Sequence, residues 1–336
     1  MKARRTAAAI LATFAVATAA GQSAKKKIVV AGVGQAMVEQ LRTVAPAGVE
    51  IVGAAPTQVA AEIADADALI SGQITRQQLA AAKQLKWVQI LNAGAEDYIP
   101  ILKGTDVTLT NLKVVLGPEV ADHAMALLLA LTRGLYETIP ARKWEVPRDI
   151  GRVTELQGKT AVIVGVGGVG MQIAQRAAAF GMTVLGVDPK DAAPPTVSKM
   201  MKPDQLDSVL SGADVLFVTV PETPATKGMI GAKQFGELKR GAFFICVSRG
   251  TIYSTDALVD ALTNRRLAGA GLDVTDPEPL PSNHPLWKFE NVLITPHIAG
   301  ASDAASERVI DLLEENIRLF AAGQPLRNVV DKEKGY

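Results

Sequence analysis

A single cysteine, Cys246, stands in the whole chain, so no intrachain disulfide and no cysteine-rich metal site can form. Histidine is nearly as scarce. His123, His284 and His297 are the three, and no HxxxH or HxH spacing joins them, which argues against a zinc enzyme and for a site without metal. Neither sign of charge dominates: Lys plus Arg number 35 and Asp plus Glu 34, a net +1. That balance supplies no field for gripping phosphate backbones, and no nucleic acid partner is expected. The apolar run Ala7 to Ala20 is shorter than the roughly 20 residues of a spanning helix, so no stable membrane span is expected. What is present is globular: 48% hydrophobic and 21% charged residues over 336 positions, room for about two domains.

The first residues are set apart. Lys2, Arg4 and Arg5 precede the apolar run, and small residues close it. Ala17-Thr18-Ala19 or Ala15-Val16-Ala17 fits an A-x-A cleavage site. Residues 1–24 therefore read as a signal-like segment, cut near Ala19, of an exported protein. Without that signal the protein is cytoplasmic. Arg4-Arg5 raises the twin-arginine route for a folded protein. The competing reading is a mis-assigned start or an alanine-rich helix.

From Lys25 onward short β-branched runs alternate with amphipathic stretches. Ile28–Val30, Glu50–Val52 (ended by Gly53), Ala68–Ile70 and Trp87–Leu91 read as strands, with helices over Thr57–Ala64 and Thr75–Ala82 between them. The pattern restarts after Gly158, with strands at Thr160–Gly165, Thr183–Val187, Asp214–Thr219, Ala242–Cys246, Ala268–Leu272 and Val292–Thr295. Such alternation predicts an α/β protein with two doubly wound, parallel-sheet units.

The second unit carries the sharpest motif. Residues 165–170 read GVGGVG, directly after the apolar run 161–164 and before a helix-compatible stretch, Met171–Phe180. This is G-x-G-x-x-G in the strand–turn–helix setting of a dinucleotide site. Gly165 would permit the tight turn, Gly167 the approach of the pyrophosphate, and Gly170 close helix–strand packing. Asp188 ends the next strand, where a carboxylate can accept from the adenosine ribose. A weaker copy, Gly32-Val33-Gly34, has Met37 in the third glycine position and no acid ending the next strand. It reads as a plain strand–helix turn.

GKTAVIVGVGGVG (158–170), VPETPATKGMI (220–230), FFICVSRGTIYSTDAL (243–258), GAGLDVTDPEPLP (269–281) and NVLITPHIAG (291–300) follow in order. Together they resemble the D-isomer-specific 2-hydroxyacid dehydrogenases, from about Lys27 to Val330. The resemblance implies two Rossmann-like domains, the nucleotide domain (116–299) inserted in a substrate domain made of 25–115 and 300–336. The stretch Asp303–Ala322 fits the return helix, with Ser302 and Gly323 as caps. It also implies NAD as cofactor, held by Gly165, Gly167, Gly168, Val169, Gly170, Asp188, Pro221, Thr226, Val247 and Asp273, the last accepting from the nicotinamide carboxamide. A homodimer through Leu135–Arg152 is implied as well.

Reducing a 2-keto acid needs a hydride to carbon, a proton to oxygen and a clamp for the carboxylate. Imidazole moves protons in both directions near neutrality, and the resemblance puts the proton-transfer histidine at His297. It pairs Glu278, rather than the nearby Asp276, with that ring, holding it and favouring its charged form. Arg249 matches the arginine that grips substrate oxygens, a role suited to a planar guanidinium. Ala93 and Gly94 resemble the turn whose amides hold the carboxylate, although a simple turn is an equal reading. His123 reads as structural and His284 as a loop residue.

Several positions depart from the family's commonest pattern. Cys246 and Ser248 replace asparagine and alanine, Gly117 stands where threonine is frequent, and Glu96 replaces an aspartate in the substrate turn. Two functions stay open. One is an NAD-dependent oxidoreductase of a small 2-keto acid such as glyoxylate, hydroxypyruvate or pyruvate. The other is a dinucleotide-binding sensor or partner-binding protein without turnover. Intact Arg249, Glu278 and His297 favour the enzyme.

Overall fold

The computed structural model describes residues 25–146 and 153–336; the signal-like segment lies outside the described residues. Twelve strands build two sheets among them. β1 (Lys26–Ala31), β2 (Val49–Ala54), β3 (Ala68–Ser71), β4 (Trp87–Ile90) and β5 (Thr108–Thr110) form one sheet in the order β2-β1-β3-β4-β5. The other contains β6 (Thr160–Val164), β7 (Thr183–Val187), β8 (Lys199–Met201), β9 (Val215–Val218), β10 (Ala242–Cys246), β11 (Leu267–Leu272) and β12 (Val292–Ile294). Its order is β12-β11-β10-β9-β6-β7-β8. Every pairing between these strands is parallel.

The helices of the first unit are α1 (Gln35–Val44), α2 (Val59–Glu62), α3 (Arg76–Ala81) and α4 (Ile99–Leu102). Then come α5 (Gly117–Thr132), α6 (Leu135–Ala141), α7 (Gly168–Ala179), α8 (Asp207–Leu210), α9 (Ala232–Glu237), α10 (Thr255–Thr263) and α11 (Ala305–Ala322). None is long and apolar enough to cross a membrane. Helices on both faces explain why the central strands read as unbroken apolar runs. β9 and β10 are buried at every position.

The order of the larger sheet reverses direction between β6 and β9. At such a switch point the loops leave the carboxyl ends of neighbouring strands in opposite directions and open a crevice. Both faces of that sheet are packed. Leu127, Leu128 and Leu131 of α5 and Ile173 of α7 join Ile163, Phe217 and Ile245 on one side, and Leu258 and Leu262 of α10 join Phe244 and Leu272 on the other.

The end of the chain returns to the first sheet. Leu313 and Ile317 of α11 are fully buried with Ile28, Val30 and Trp87. Gly323 ends the helix in the left-handed conformation at φ 66°, as a glycine at that position readily does. Ser302 is not its cap. The N-cap is Ala304, with no side-chain bond.

A buried polar chain fixes this return. Asn316 donates to Gln89 Oε1 at 3.1 Å and accepts from the Arg327 amide at 2.7 Å. Gln89 Oε1 also takes the Thr110 hydroxyl at 2.7 Å, and Thr110 accepts from the Trp87 indole at 2.8 Å. All members of such a network must be satisfied together. Asn316→Ala should therefore cost about 2–3 kcal/mol, the penalty of a small void plus stranded buried partners. Urea denaturation measures it, and an unchanged midpoint would contradict the argument.

Candidate active site

Six loops converge because they all follow the carboxyl ends of parallel strands. The first is the glycine turn after β6. Gly165 takes φ 94°, and a Cβ there would lie 2.8 Å from the Val220 amide nitrogen, so glycine meets both demands. A Cβ on Gly170 would sit 2.0 Å from the Gly165 carbonyl oxygen. A Cβ on Gly168 would sit 2.4 Å from the Lys113 carbonyl oxygen. The chain itself thus uses the missing side chains of Gly168 and Gly170. Gly117 belongs to the same contact, since a Cβ there would lie 2.8 Å from the Gly168 carbonyl oxygen. A threonine at position 117 would not fit here.

Gly167 is different. It is the N-cap of α7, its φ of −87° suits any residue, and a Cβ would meet no protein atom within 4 Å. Neither strain nor packing in the chain requires glycine there, whereas close approach of a phosphate to the free amides opening α7 does. The loop therefore fits a dinucleotide.

Asp188 follows β7 and is 8% exposed. Its Oδ2 accepts from the Val166 amide at 2.8 Å and its Oδ1 from the Lys190 amide at 2.9 Å. These bonds hold the carboxylate against the glycine turn and leave each oxygen a second lone pair for a ribose hydroxyl. After β9, the Thr226 hydroxyl donates to the Pro221 carbonyl at 2.6 Å and shapes that loop. Val169 and Val247 lie half-buried against the core of the larger sheet.

Beyond β10 the chain delivers Arg249. The Ser248 hydroxyl donates to the Val220 carbonyl, which ties this loop to the one after β9. Arg249 Nε donates to Glu96 Oε1 at 2.6 Å and Nη1 to the Ser248 carbonyl at 2.7 Å. Glu96 lies in the turn after β4, so this ion pair joins the two sheets' loops. Gly94 lies against it, and Asn111 donates to the Ala93 carbonyl at 2.6 Å.

Cys246, at the end of β10, is fully buried, and burial pushes its thiol up to about 12. At pH 7 the thiolate fraction is then about 10⁻⁵, which removes it as a nucleophile. Iodoacetamide should label Cys246 in denaturant and leave the native protein unmodified at pH 8. Rapid native labelling would contradict the burial.

The last two loops hold the proton-transfer candidates. His297 Nδ1 and Glu278 Oε1 are 2.7 Å apart, with side-chain exposures of 44% and 41%. Asp276 does not make this contact. His297 has φ 53°, an uncommon conformation for a non-glycine residue. Its turn is held from β11. The His297 amide donates to the Asp273 carbonyl at 2.9 Å, and the Ile298 and Ala299 amides donate to the Asp273 carboxylate at 3.0 Å each. The Thr295 hydroxyl adds a bond to Asp273 Oδ1 at 2.6 Å, and His123 Nε2 lies 2.8 Å from that hydroxyl.

Asp273, expected to face the nicotinamide, is 2% exposed and spends both oxygens on the turn that carries His297. His123 supports the same turn from α5. His284 caps a short helical turn, accepting from the Leu286 amide at 3.2 Å.

A family model described as D-isomer specific 2-hydroxyacid dehydrogenase, NAD binding domain, matches residues 125–299. A glyoxylate reductase of Thermofilum pendens is 35% identical over 282 residues, 81% of this chain and 83% of that protein. A D-3-phosphoglycerate dehydrogenase of Archaeoglobus fulgidus is also 35% identical, over 77% of this chain, which spans 50% of its length. Among solved structures, an NADPH-dependent glyoxylate/hydroxypyruvate reductase from Sinorhizobium meliloti, in complex with NADP and sulfate, superposes with a TM-score of 0.78. It is 27% identical, and the match covers 93% of this chain and all of that one.

Proposed function

The chain belongs to the D-isomer-specific 2-hydroxyacid dehydrogenase family, and from that premise we propose that it interconverts a small 2-keto acid and its D-2-hydroxy acid with NAD(H). The observation that carries this reading is the His297–Glu278 pair at 2.7 Å, on the loops after β12 and β11 of the glycine turn's own sheet, with Arg249 on the loop after the next strand in, β10.

In reduction, Arg249 and the amides of Ala93 and Gly94 hold the substrate carboxylate. Glu278 engages His297 Nδ1, which leaves Nε2 to face the carbonyl oxygen and give it a proton. The nicotinamide, when bound, supplies the hydride that the carbonyl carbon takes. The residues from Gly165 to Gly170, with Asp188, Pro221, Thr226 and Val247, would hold the dinucleotide, and Asp273 would border the nicotinamide while fixing the turn of His297. The test is NADH oxidation by the purified protein with glyoxylate, pyruvate and hydroxypyruvate. Turnover of at least one supports the reading, and NADH binding without turnover of any 2-keto acid would sink it.

Asp188 favours NAD over NADP in this reading. A buried carboxylate accepts from a free ribose diol and repels a 2′-phosphate, a difference of about 1–3 kcal/mol or a factor of roughly 5–150. Equal catalytic efficiency with NADPH would contradict it. A homodimer through residues 135–152, of which 147–152 lie outside the described residues, is part of the proposal. Ile139, Trp144 and Val146 expose apolar surface there, and light scattering of the purified protein tests it. Export after cleavage near Ala19 is proposed as well. An intact residue 1 in a cytoplasmic fraction of the native host, read by mass spectrometry, would end it.

A further inference from the structure

The connection from β5 to α5 carries a lysine to the edge of the glycine turn. A Cβ on Gly168 would collide with the Lys113 carbonyl and stand 2.9 Å from Val114 Cα, so residues 113 and 114 lie directly against the first residue of α7. Lys113 is half-buried. Its Nζ donates to the Val329 carbonyl at 2.9 Å. An ammonium has three donors, so two remain.

No carboxylate of the chain takes them. Among the described residues neither Lys113 nor Lys190 is held in an ion pair. Lys190 stands on the loop after β7, where Asp188 Oδ1 accepts from its amide rather than its ammonium. The two ammonium groups are close enough to repel, and burial together with Lys190 holds Lys113 below the usual lysine range. Asp331 acts on Lys113 with the opposite sign, but Lys334 engages that carboxylate at 3.2 Å. Like charges drawn together in a crevice, without a counter-charge from the chain, make a field that an anion relieves. The same crevice has the amides opening α7 on one side and the carboxylate of Asp188 on the other. The pyrophosphate of a dinucleotide lies between two such groups.

We propose that Lys113 is a cofactor-binding residue, lending its ammonium to the pyrophosphate from the connection between the two sheets. The cofactor is then gripped from outside the nucleotide-binding sheet as well as from its own loops. This inference rests on the dinucleotide reading above and adds a residue to it.

The experiment is fluorescence titration of the purified full chain with NADH and with NADPH, beside thermal melts without cofactor, in the parent, Lys113→Met and Lys113→Arg. Lys113→Met should weaken NADH by about tenfold or more, the usual worth of a charge-assisted contact. Lys113→Arg should keep most of the affinity, because the group acts as a charge near a phosphate. The loss should be the same factor for both cofactors, which share the pyrophosphate. It should shrink in about 0.5 M sodium chloride, which screens a partly exposed charge. A loss confined to NADPH would place Lys113 on a 2′-phosphate and overturn the proposal. So would a Lys113→Met protein that melts lower yet binds NADH like the parent, since Lys113 would then serve only the Val329 carbonyl. If the parent itself binds neither cofactor, the dehydrogenase reading fails, and this inference falls with it.

Discussion

Replacing His297 by alanine should leave NADH affinity nearly unchanged and cut turnover by about 10²–10⁴-fold, the usual worth of a positioned acid–base group. The dinucleotide turn begins at Gly165, after β6, whereas His297 follows β12 at the sheet's edge, so the two functions separate in space. Backbone strain is the competing cause of any loss, because residue 297 has φ 53°. His297→Asn resolves this, since asparagine tolerates that conformation better than alanine. An equal fall in turnover for both variants, with unchanged melting, assigns the effect to the imidazole. Glu278→Gln keeps an acceptor oxygen for Nδ1 but removes the carboxylate that stands 2.7 Å from it. Combined with His297→Ala, Glu278→Gln should add little, because both act on one proton transfer. Parental turnover of a good keto acid by His297→Ala would refute the assignment.

The elements legible in the sequence are those whose burial is uniform. β9 and β10 are apolar throughout because helices cover both faces, and their limits differ from expectation by at most a residue at either end. β5 and β8 span three residues each, at or near sheet edges, too short to show any periodicity. Gly53 reads as a strand end but lies inside β2, where a Cβ would stand 3.0 Å from Val38. Helix α7 starts at Gly168 rather than Met171. Four glycines in six residues hide a helix start that packing against Lys113 and Val114 supplies.

Of the proposed site residues, the glycine turn is legible from type and local spacing, and Arg249, Glu278 and His297 through the resemblance to the family. Those that act through long-range pairing were not. Glu96 and Arg249 are 153 residues apart, and the one local sign of their contact was a glutamate in place of aspartate. The support that Asp273, Thr295 and His123 give to residues 297–299 is likewise invisible in one dimension, since it joins α5, β11 and the loop after β12.

The glycine turn supplies the second large effect, as a contrast between two substitutions three residues apart. Gly170→Ala should abolish the fold of the nucleotide unit or cost it more than about 4 kcal/mol. The added methyl would lie 2.0 Å from the Gly165 carbonyl oxygen and 3.1 Å from the Thr219 hydroxyl. Thr219 in turn donates to that same carbonyl at 2.6 Å, so neither neighbour can withdraw without breaking the turn. Gly167→Ala meets no protein atom within 4 Å and keeps a φ that alanine accepts. Its melting temperature should match the parent's. Yet the methyl would stand at the cap of α7, where the pyrophosphate has to approach the first-turn amides. NADH affinity should therefore fall by at least about tenfold, each factor of ten being about 1.4 kcal/mol. Fluorescence titration with NADH, beside thermal melts of the same samples, separates the two cases. A stable Gly167→Ala protein that binds NADH like the parent would show that the cofactor does not approach this turn, because nothing within the chain itself calls for glycine at position 167.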